Sequence, residues 1–369
     1  MIKYITAIII LLSLSLTATA CVTPSDPVDT PPSDAAEDVV RPGIPDSSGG
    51  DAGEDNADEQ DLQNQIDLQE VKPNEAGKIM VLMYHVIGES EGEWSRRWDN
   101  FRKDLEVLYE KGYRLVSLKD YIANNIDVEA GYTPVVLTFD DGTQGQFNII
   151  EQDGSLTVDP KSAVGIMENF HEEQPDFGLA ATFFVYYPVP FRQKELIGYK
   201  FEYLAEKGMD IGNHSYGHAN LATLNADQLQ YQLGKMVAET EKYLPGYSIN
   251  SLALPYGANA REEYREYIYE GAFEGTRYQN DAVLLVGSNP APSPVDMKFD
   301  PRKLPRIRAT DDPAINTDMY DWMDYFEENP HDRYISDGNP GTVSVPREME
   351  DRVDKNRLGD KKLNIYDLE

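Results

Sequence analysis

Cysteine is almost missing from this chain: Cys21 is the only one in 369 residues, so no internal disulfide can form. Histidine is scarce too, five in all, which makes a pair at His214 and His218 informative. Positive charge is outweighed, 33 Lys and Arg against 65 Asp and Glu for a net charge of -32. Such a balance argues against nucleic acid and against anionic membrane surfaces as partners. Residues 5–16 form an apolar run behind Lys3 that is too short to span a bilayer as a mature helix and stands where a secretory signal belongs. Aromatic residues are missing from 22–76, a stretch with 15 Asp or Glu against only Arg41 and Lys72, and with Pro, Gly and Ser throughout. That composition cannot bury enough apolar surface to fold, so an extended tether is expected.

The apolar run ends in Ala18-Thr19-Ala20-Cys21. This resembles a bacterial lipobox, with Ala18 where Leu is commonest, and Ala-x-Ala also suits ordinary signal cleavage. Both readings export the protein; the first leaves a lipid anchor on Cys21 as its sole membrane contact. The expected organisation is a signal peptide at 1–20, a lipid-anchored acidic linker at 21–76, a folded domain at 77–346 and a polar C-terminal tail at 347–369. A monomer on the outer side of the cell membrane, facing the wall, or a secreted one, is expected.

What is present beyond residue 77 is an alternation. Apolar, β-branched or aromatic runs at 79–84, 114–117, 135–139, 181–185, 209–212, 252–254, 282–286 and 303–309 predict strands. Apolar residues at helical spacing predict helices over 101–111, 118–124, 163–170, 196–207, 225–244, 262–270 and 318–328. Strand-helix alternation of this length predicts an α/β fold, a parallel sheet closed into a (β/α) barrel. In such a barrel the C-terminal strand ends meet at one face, and His85, Asp140 with Asp141, His214 and Tyr256 each directly follow an apolar run. Four separate strands would thus deliver polar groups to one mouth.

Two stretches carry the chemistry. Residues 134–142 read Pro-Val-Val-Leu-Thr-Phe-Asp-Asp-Gly, a buried strand ending in adjacent carboxylates. Asp-Asp-Gly is good turn chemistry, but two carboxylates after a buried strand repel each other unless a metal or a shared proton holds them. Residues 212–218 read Gly-Asn-His-Ser-Tyr-Gly-His, and imidazoles four apart can reach one ion from a helix or a tight loop. Together, Thr-Phe-Asp-Asp-Gly followed by His-Ser-x-x-His resembles the signature pair of the polysaccharide deacetylase (NodB-homology) family, over about 78–346.

The resemblance implies a distorted, TIM-barrel-like (β/α) barrel of about seven strands. It implies that Asp141, His214 and His218 hold a divalent metal while Asp140 stays free as general base. Zinc is the expected ion from the donor types, with cobalt, nickel or manganese as alternatives. The backbone N–H of Tyr256, in Pro255-Tyr256-Gly257, resembles the family's oxyanion donor. A Leu-x-x-His segment near the end of the domain, the usual source of the general acid, is missing, since His331 follows no strand. Leu82-Met83-Tyr84-His85 has the pattern instead, similar to the permuted branch that includes poly-N-acetylglucosamine deacetylases, so His85 is expected to be the acid. The family's Arg-x-Pro-Tyr is also broken, because Ala253 stands at the Arg position. Arg306 lies on an expected strand where charge is costly, so it is expected to pair with Asp140, an ordinary surface ion pair being the alternative.

Tyr186, Tyr187, Tyr216 and Trp94 are candidate platforms for sugar rings, although buried aromatics outnumber such platforms. His171 reads as a surface residue and Asp337-Gly338 as a turn. The expected activity is metal-dependent hydrolysis of N-acetyl groups on a β-linked N-acetylglucosamine polymer. An O-acetyl ester deacetylase and a non-catalytic glycan-binding wall protein are the alternatives.

Overall fold

Apolar runs become the strands of one curled sheet in the computed structural model, which describes residues 66–310 and 317–369. The strands are β1 (Lys78–Tyr84), β2 (Tyr113–Leu115), β3 (Thr133–Asp140), β4 (Thr182–Val185), β5 (Asp210–Asn213), β6 (Ser251–Ala253), β7 (Ala282–Leu284), β8 (Ala291–Pro292) and β9 (Ile307–Arg308). Their order is β7-β6-β5-β4-β3-β1-β8, with β2 on β3 and β9 on β1. All pairings are parallel except β1 with β8. Every residue of β3 is buried, as a strand covered on both faces requires.

Closure comes from residues 304–308. Leu304 bridges Leu284 in parallel at one edge, while Ile307 and Arg308 pair with Leu82 and Met83 at the other. The curled sheet is a distorted (β/α) barrel in which β1, β3, β4, β5, β6, β7 and β9 make the seven-stranded circuit. Helices α1 (Trp98–Glu110), α2 (Ala163–Glu173), α3 (Ile197–Glu206), α4 (Ala226–Tyr243) and α5 (Met319–Glu328) accompany it. Three of them start where short polar residues offer caps: Ser162, Asn225 and Asp318 each accept a backbone N–H, the last two in full capping boxes. Among the described residues no helix is long and apolar enough to cross a membrane.

Three expectations need correction. The helix over 262–270 is only a 3-10 turn, Glu262–Tyr264, and a short helix, Glu266–Tyr269, followed by a hairpin of Glu270–Phe273 with Thr276–Gln279. Gly271 and Gly275, the latter at φ 90°, favour the hairpin over a continuing helix. The stretch expected as tether does not run to residue 76: Asn74, Glu75 and Ala76 are buried, and Asn74 pairs with Ile335. The tail is likewise folded, since β10 (Thr342–Pro346) and β11 (Lys362–Tyr366) run parallel over a cluster of Ala76, Val295, Val343, Val345, Met349 and Val353. The few apolar residues of these ends pack on one another and on Val295. The signal peptide, Cys21 and the linker up to residue 65 lie outside the described residues.

Candidate active site

The C-terminal ends of β1, β3, β5 and β6 and the segment before β9 meet at one mouth. Asp140 is the last residue of β3 and is buried, and the chain turns at once into left-handed backbone at Asp141 (φ 80°) and Gly142 (φ 53°). That turn takes the Asp140 carboxylate to Arg306 and the Asp141 carboxylate to His214 and His218. A Cβ on Gly145 would lie 1.7 Å from the Ile87 carbonyl oxygen, so only glycine lets this loop pass beneath the loop after β1. Gln146 then ties the two strand ends together, its amide nitrogen donating to the carbonyls of His85 (2.6 Å) and Asp140 (2.5 Å).

The segment after β5 carries both imidazoles in a loop, with Ser215 and His218 in left-handed backbone (φ 57° and 52°). Asn213 accepts the Ser215 N–H at 2.8 Å, the Ser215 hydroxyl accepts the Ala219 N–H at 2.9 Å, and Gln232 of α4 accepts the Gly217 N–H at 2.9 Å. The loop is thereby fixed without helical bonds.

Asp141, His214 and His218 offer one ligand atom each within 4.8 Å of one another. Asp141 Oδ1 is 3.5 Å from His214 Nε2 and 3.2 Å from His218 Nε2. The edge of a tetrahedron with metal bonds of about 2.0–2.1 Å is about 3.4 Å, and the two edges from Asp141 match it, so the donor types and spacing suit a zinc-sized ion. His214 Nδ1 lies 2.8 Å from the Ala253 carbonyl oxygen, and a proton donated there leaves Nε2 with its lone pair toward the other donors. Ala253, which occupies the expected Arg position, thus orients a ligand through its backbone.

Arg306 is buried and bidentate on Asp140, Nη1 to Oδ1 and Nη2 to Oδ2 at 2.7 Å each. Its Nε donates to Leu285 O at 2.9 Å, and Thr138 Oγ1, itself donating to Leu82 O, accepts from Nη1 at 3.2 Å. Burial pushes the Asp140 carboxyl up, but the Arg306 guanidinium, His214 and His85 outweigh it and hold the group well below the usual carboxylate range. Burial likewise opposes ionisation of Asp141, and hydrogen bonding and charge from His214 bring it below its ordinary value.

His85 Nε2 stands 3.9 Å from Asp140 Oδ2, with its ring edge-on to Trp94 at 4.7 Å. Burial lowers its pKa against the pull of Asp140 and Asp141. Tyr256, in left-handed backbone at φ 58°, is 67% exposed and sets its ring edge-on to His218 at 4.5 Å. Tyr186 lies 5.2 Å from the His218 ring and Trp94 is half-exposed, so both line the mouth. Tyr187 does not: it is buried, stacks on Tyr216 and shares a 2.9 Å hydrogen bond with Thr240.

The structure therefore brings Asp140, Asp141, His214, His218, His85, Arg306 and Tyr256 to one place. Sequence reasoning missed Gln146 and Gln232; each lies in a loop or on a helix face where polar residues are ordinary, so no pattern marks them. The arrangement pairs a three-donor cation seat with an unliganded, ionised carboxylate and a half-buried imidazole. That combination suits attack of water on an acyl group.

Residues 127–270 match the family model described as polysaccharide deacetylase. His85 and Arg306 lie outside that match. Among solved structures, the Streptococcus pyogenes deacetylase PplD in complex with acetate is 18% identical, covering 64% of this chain and 93% of its own, with a TM-score of 0.48. A polysaccharide deacetylase from Bacillus cereus is 17% identical over 63% of this chain and 64% of its own, TM-score 0.44. IcaB from Ammonifex degensii is 17% identical over 64% and 93%, TM-score 0.41. A comparison with curated proteins finds no match.

Proposed function

Proceeding from a chain that carries a polysaccharide deacetylase domain of the NodB-homology family, we propose that it hydrolyses N-acetyl groups on a β-linked N-acetylglucosamine polymer, peptidoglycan or exopolysaccharide. The observation that carries the proposal is the seat of Asp141, His214 and His218 beside Asp140, whose carboxylate is held by Arg306 and stands outside the three-donor set. A divalent ion in that seat, zinc by donor type, would supply the Lewis acidity that lowers the pKa of a water and polarises the acetyl carbonyl.

The chain's own groups do the rest. Asp140 takes and holds the proton released by the attacking water. Arg306 keeps Asp140 ionised and oriented, ready to accept that proton. The Tyr256 N–H donates to the oxygen that gains charge as the carbonyl becomes tetrahedral. His85 gives a proton to the departing amine, which cannot leave as an anion. Trp94, packed on the His85 ring, limits the imidazole's motion and shields it from bulk water. Outside the cell, with Cys21 lipidated and residues up to 65 as a tether, the domain would reach wall or secreted glycan.

The test is acetate release by purified protein from chitooligosaccharides, from peptidoglycan and from O-acetylated xylan, with and without chelator. Release from the N-acetyl substrates that stops with chelator supports the proposal. Release from xylan alone would make the protein an ester deacetylase, and release unaffected by chelator would remove the ion from the reaction.

A further inference from the structure

A residue that must hand over a proton needs its ring aimed, and His85 is aimed in an indirect way. Among the described residues neither of its ring nitrogens makes a hydrogen bond, and Nε2 stands 3.9 Å from Asp140 Oδ2, beyond hydrogen-bond reach. His214, by contrast, is fixed through Nδ1 on the Ala253 carbonyl. Gln146 holds the backbone of His85, but the direction of the ring is left to what packs against it. That neighbour is Trp94, its ring centroid 4.7 Å away and the two planes at 62°.

Trp94 in turn needs a support. Its carbonyl accepts the Val86 N–H at 3.0 Å, while its side chain lies at the surface of the loop, 40% exposed. Arg308 supplies that support: the guanidinium lies over the indole at 5.2 Å, and Nη1 donates to Oε1 of the adjacent Glu93 at 2.9 Å. One side chain thus grips two consecutive residues of the loop. It can reach them because Arg308 pairs with Met83 where β9 runs beside β1, two residues before His85. Alternate side chains of extended backbone share a face, so Arg306 and Arg308 leave the same side of this segment, and Arg306 holds Asp140. The stretch that closes the barrel therefore touches both proton-handling groups, the carboxylate directly and the imidazole through Trp94.

We propose that Arg308 is a positioning residue for the leaving-group step, acting through Trp94 to keep the His85 imidazole aimed at the departing amine. This rests on the deacetylase reading and deepens it. As the tetrahedral adduct collapses, the C–N bond breaks with its electron pair on nitrogen, and that pair takes the proton from His85. An imidazole free to turn delivers the proton less often, and a misplacement of about 1 Å can cost about a hundredfold. A planar guanidinium suits an aromatic face and a carboxylate at once, which an ammonium does not. Only a reaction that needs the proton should depend on Arg308. An aryl ester does not need it, because phenolate leaves with its own electron pair.

The experiment measures kcat and KM for nitrophenyl acetate and for the better N-acetyl substrate of chitotetraose and peptidoglycan, in the native protein, Arg308→Gln and Arg308→Lys. Arg308→Gln should lower kcat on the N-acetyl substrate about tenfold with KM little changed, while hydrolysis of the aryl ester stays at the native rate. Arg308→Lys, which keeps a cation for Glu93 but no planar group over the indole, should fall between. In a His85→Gln background, Arg308→Gln should cost nothing further on the N-acetyl substrate. Acrylamide should quench the indole fluorescence of Arg308→Gln more than that of the native protein, and this rise should vanish when both carry Trp94→Phe. Equal loss on the two substrates, losses that multiply in the double variant, or quenching that does not change would each make Arg308 an ordinary ion pair of the mouth and overturn the proposal, with the deacetylase reading intact. No acetate from either N-acetyl substrate with the native protein would sink both.

Discussion

A carboxylate and a guanidinium withdrawn from water hold each other in place, and removing one leaves the other without compensation. Arg306 and Asp140 are such a pair, sealed beneath the mouth with every guanidinium nitrogen bonded. Arg306→Met should therefore cost about 3–5 kcal/mol in urea unfolding, because Asp140 stays behind as a buried charge. Asp140→Asn together with Arg306→Met should recover much of that stability while leaving acetate release abolished. At the same scale, His218→Gln removes one of three donors. Zinc should raise the melting temperature of the native protein and chelator should reverse it, whereas His218→Gln should bind little metal after dialysis and show a far smaller shift. The need for an Arg306-like partner is legible in the sequence, because a charge between Leu304 and Ile307 on a strand requires a reason. Its bidentate geometry, and the use of the Ala253 carbonyl to orient His214, are not legible, since backbone acceptors leave no mark on residue type.

At the scale of elements, alternating apolar and amphipathic segments make the barrel readable, but not how it closes. The expected strand over 303–309 is instead a two-sided splice: Leu304 serves β7 and Ile307–Arg308 serve β1, with Arg306 between them turned inward. Pairing partners so far apart in sequence are set by the curvature of the whole sheet, which no local pattern encodes. The hairpin at Glu270–Gln279 was hidden for the opposite reason, short-range turn chemistry at Gly275 overriding an apolar spacing that suits a helix. The loop after β3 gives a sharp test of how elements position the site. Gly145→Ala would drive a methyl group into the Ile87 carbonyl, and neither backbone can yield without moving Gln146. Stability should fall by about 1–3 kcal/mol. Acetate release should fall by more than Gln146→Ala alone produces, with helix content by circular dichroism unchanged.

Across the whole molecule, residues 67–76 and the C-terminal segment are bound into one polar and apolar seam. Gln69 donates to Asp367 O, the Tyr366 hydroxyl donates to Pro73 O, and Glu75 accepts the Ser344 N–H at 2.8 Å and the Tyr334 hydroxyl at 3.1 Å. Asp337, which accepts from Thr342 and from Ser344, lies beside Glu75, and half-buried Lys361 is the cation nearby, with Asp127 beyond it. Burial, followed by repulsion from Asp337, raises the Glu75 pKa from 4.5 to about 8, against hydrogen bonds from Ser344, Tyr334 and Asp337 that favour the anion. An acid raised on folding keeps a proton that the unfolded chain loses between pH 4.5 and about 8. Its contribution to stability is therefore complete below pH 4.5 and is lost as pH climbs through about 8. Glu75→Gln stays neutral throughout, so the melting temperature of the variant minus that of the native protein should grow between pH 5 and pH 8, by several degrees if the shift is intact. A difference that stays flat over that range would mean that Glu75 is already ionised in the fold, its three donors outweighing burial and Asp337, and that the seam is held by charge rather than by a proton.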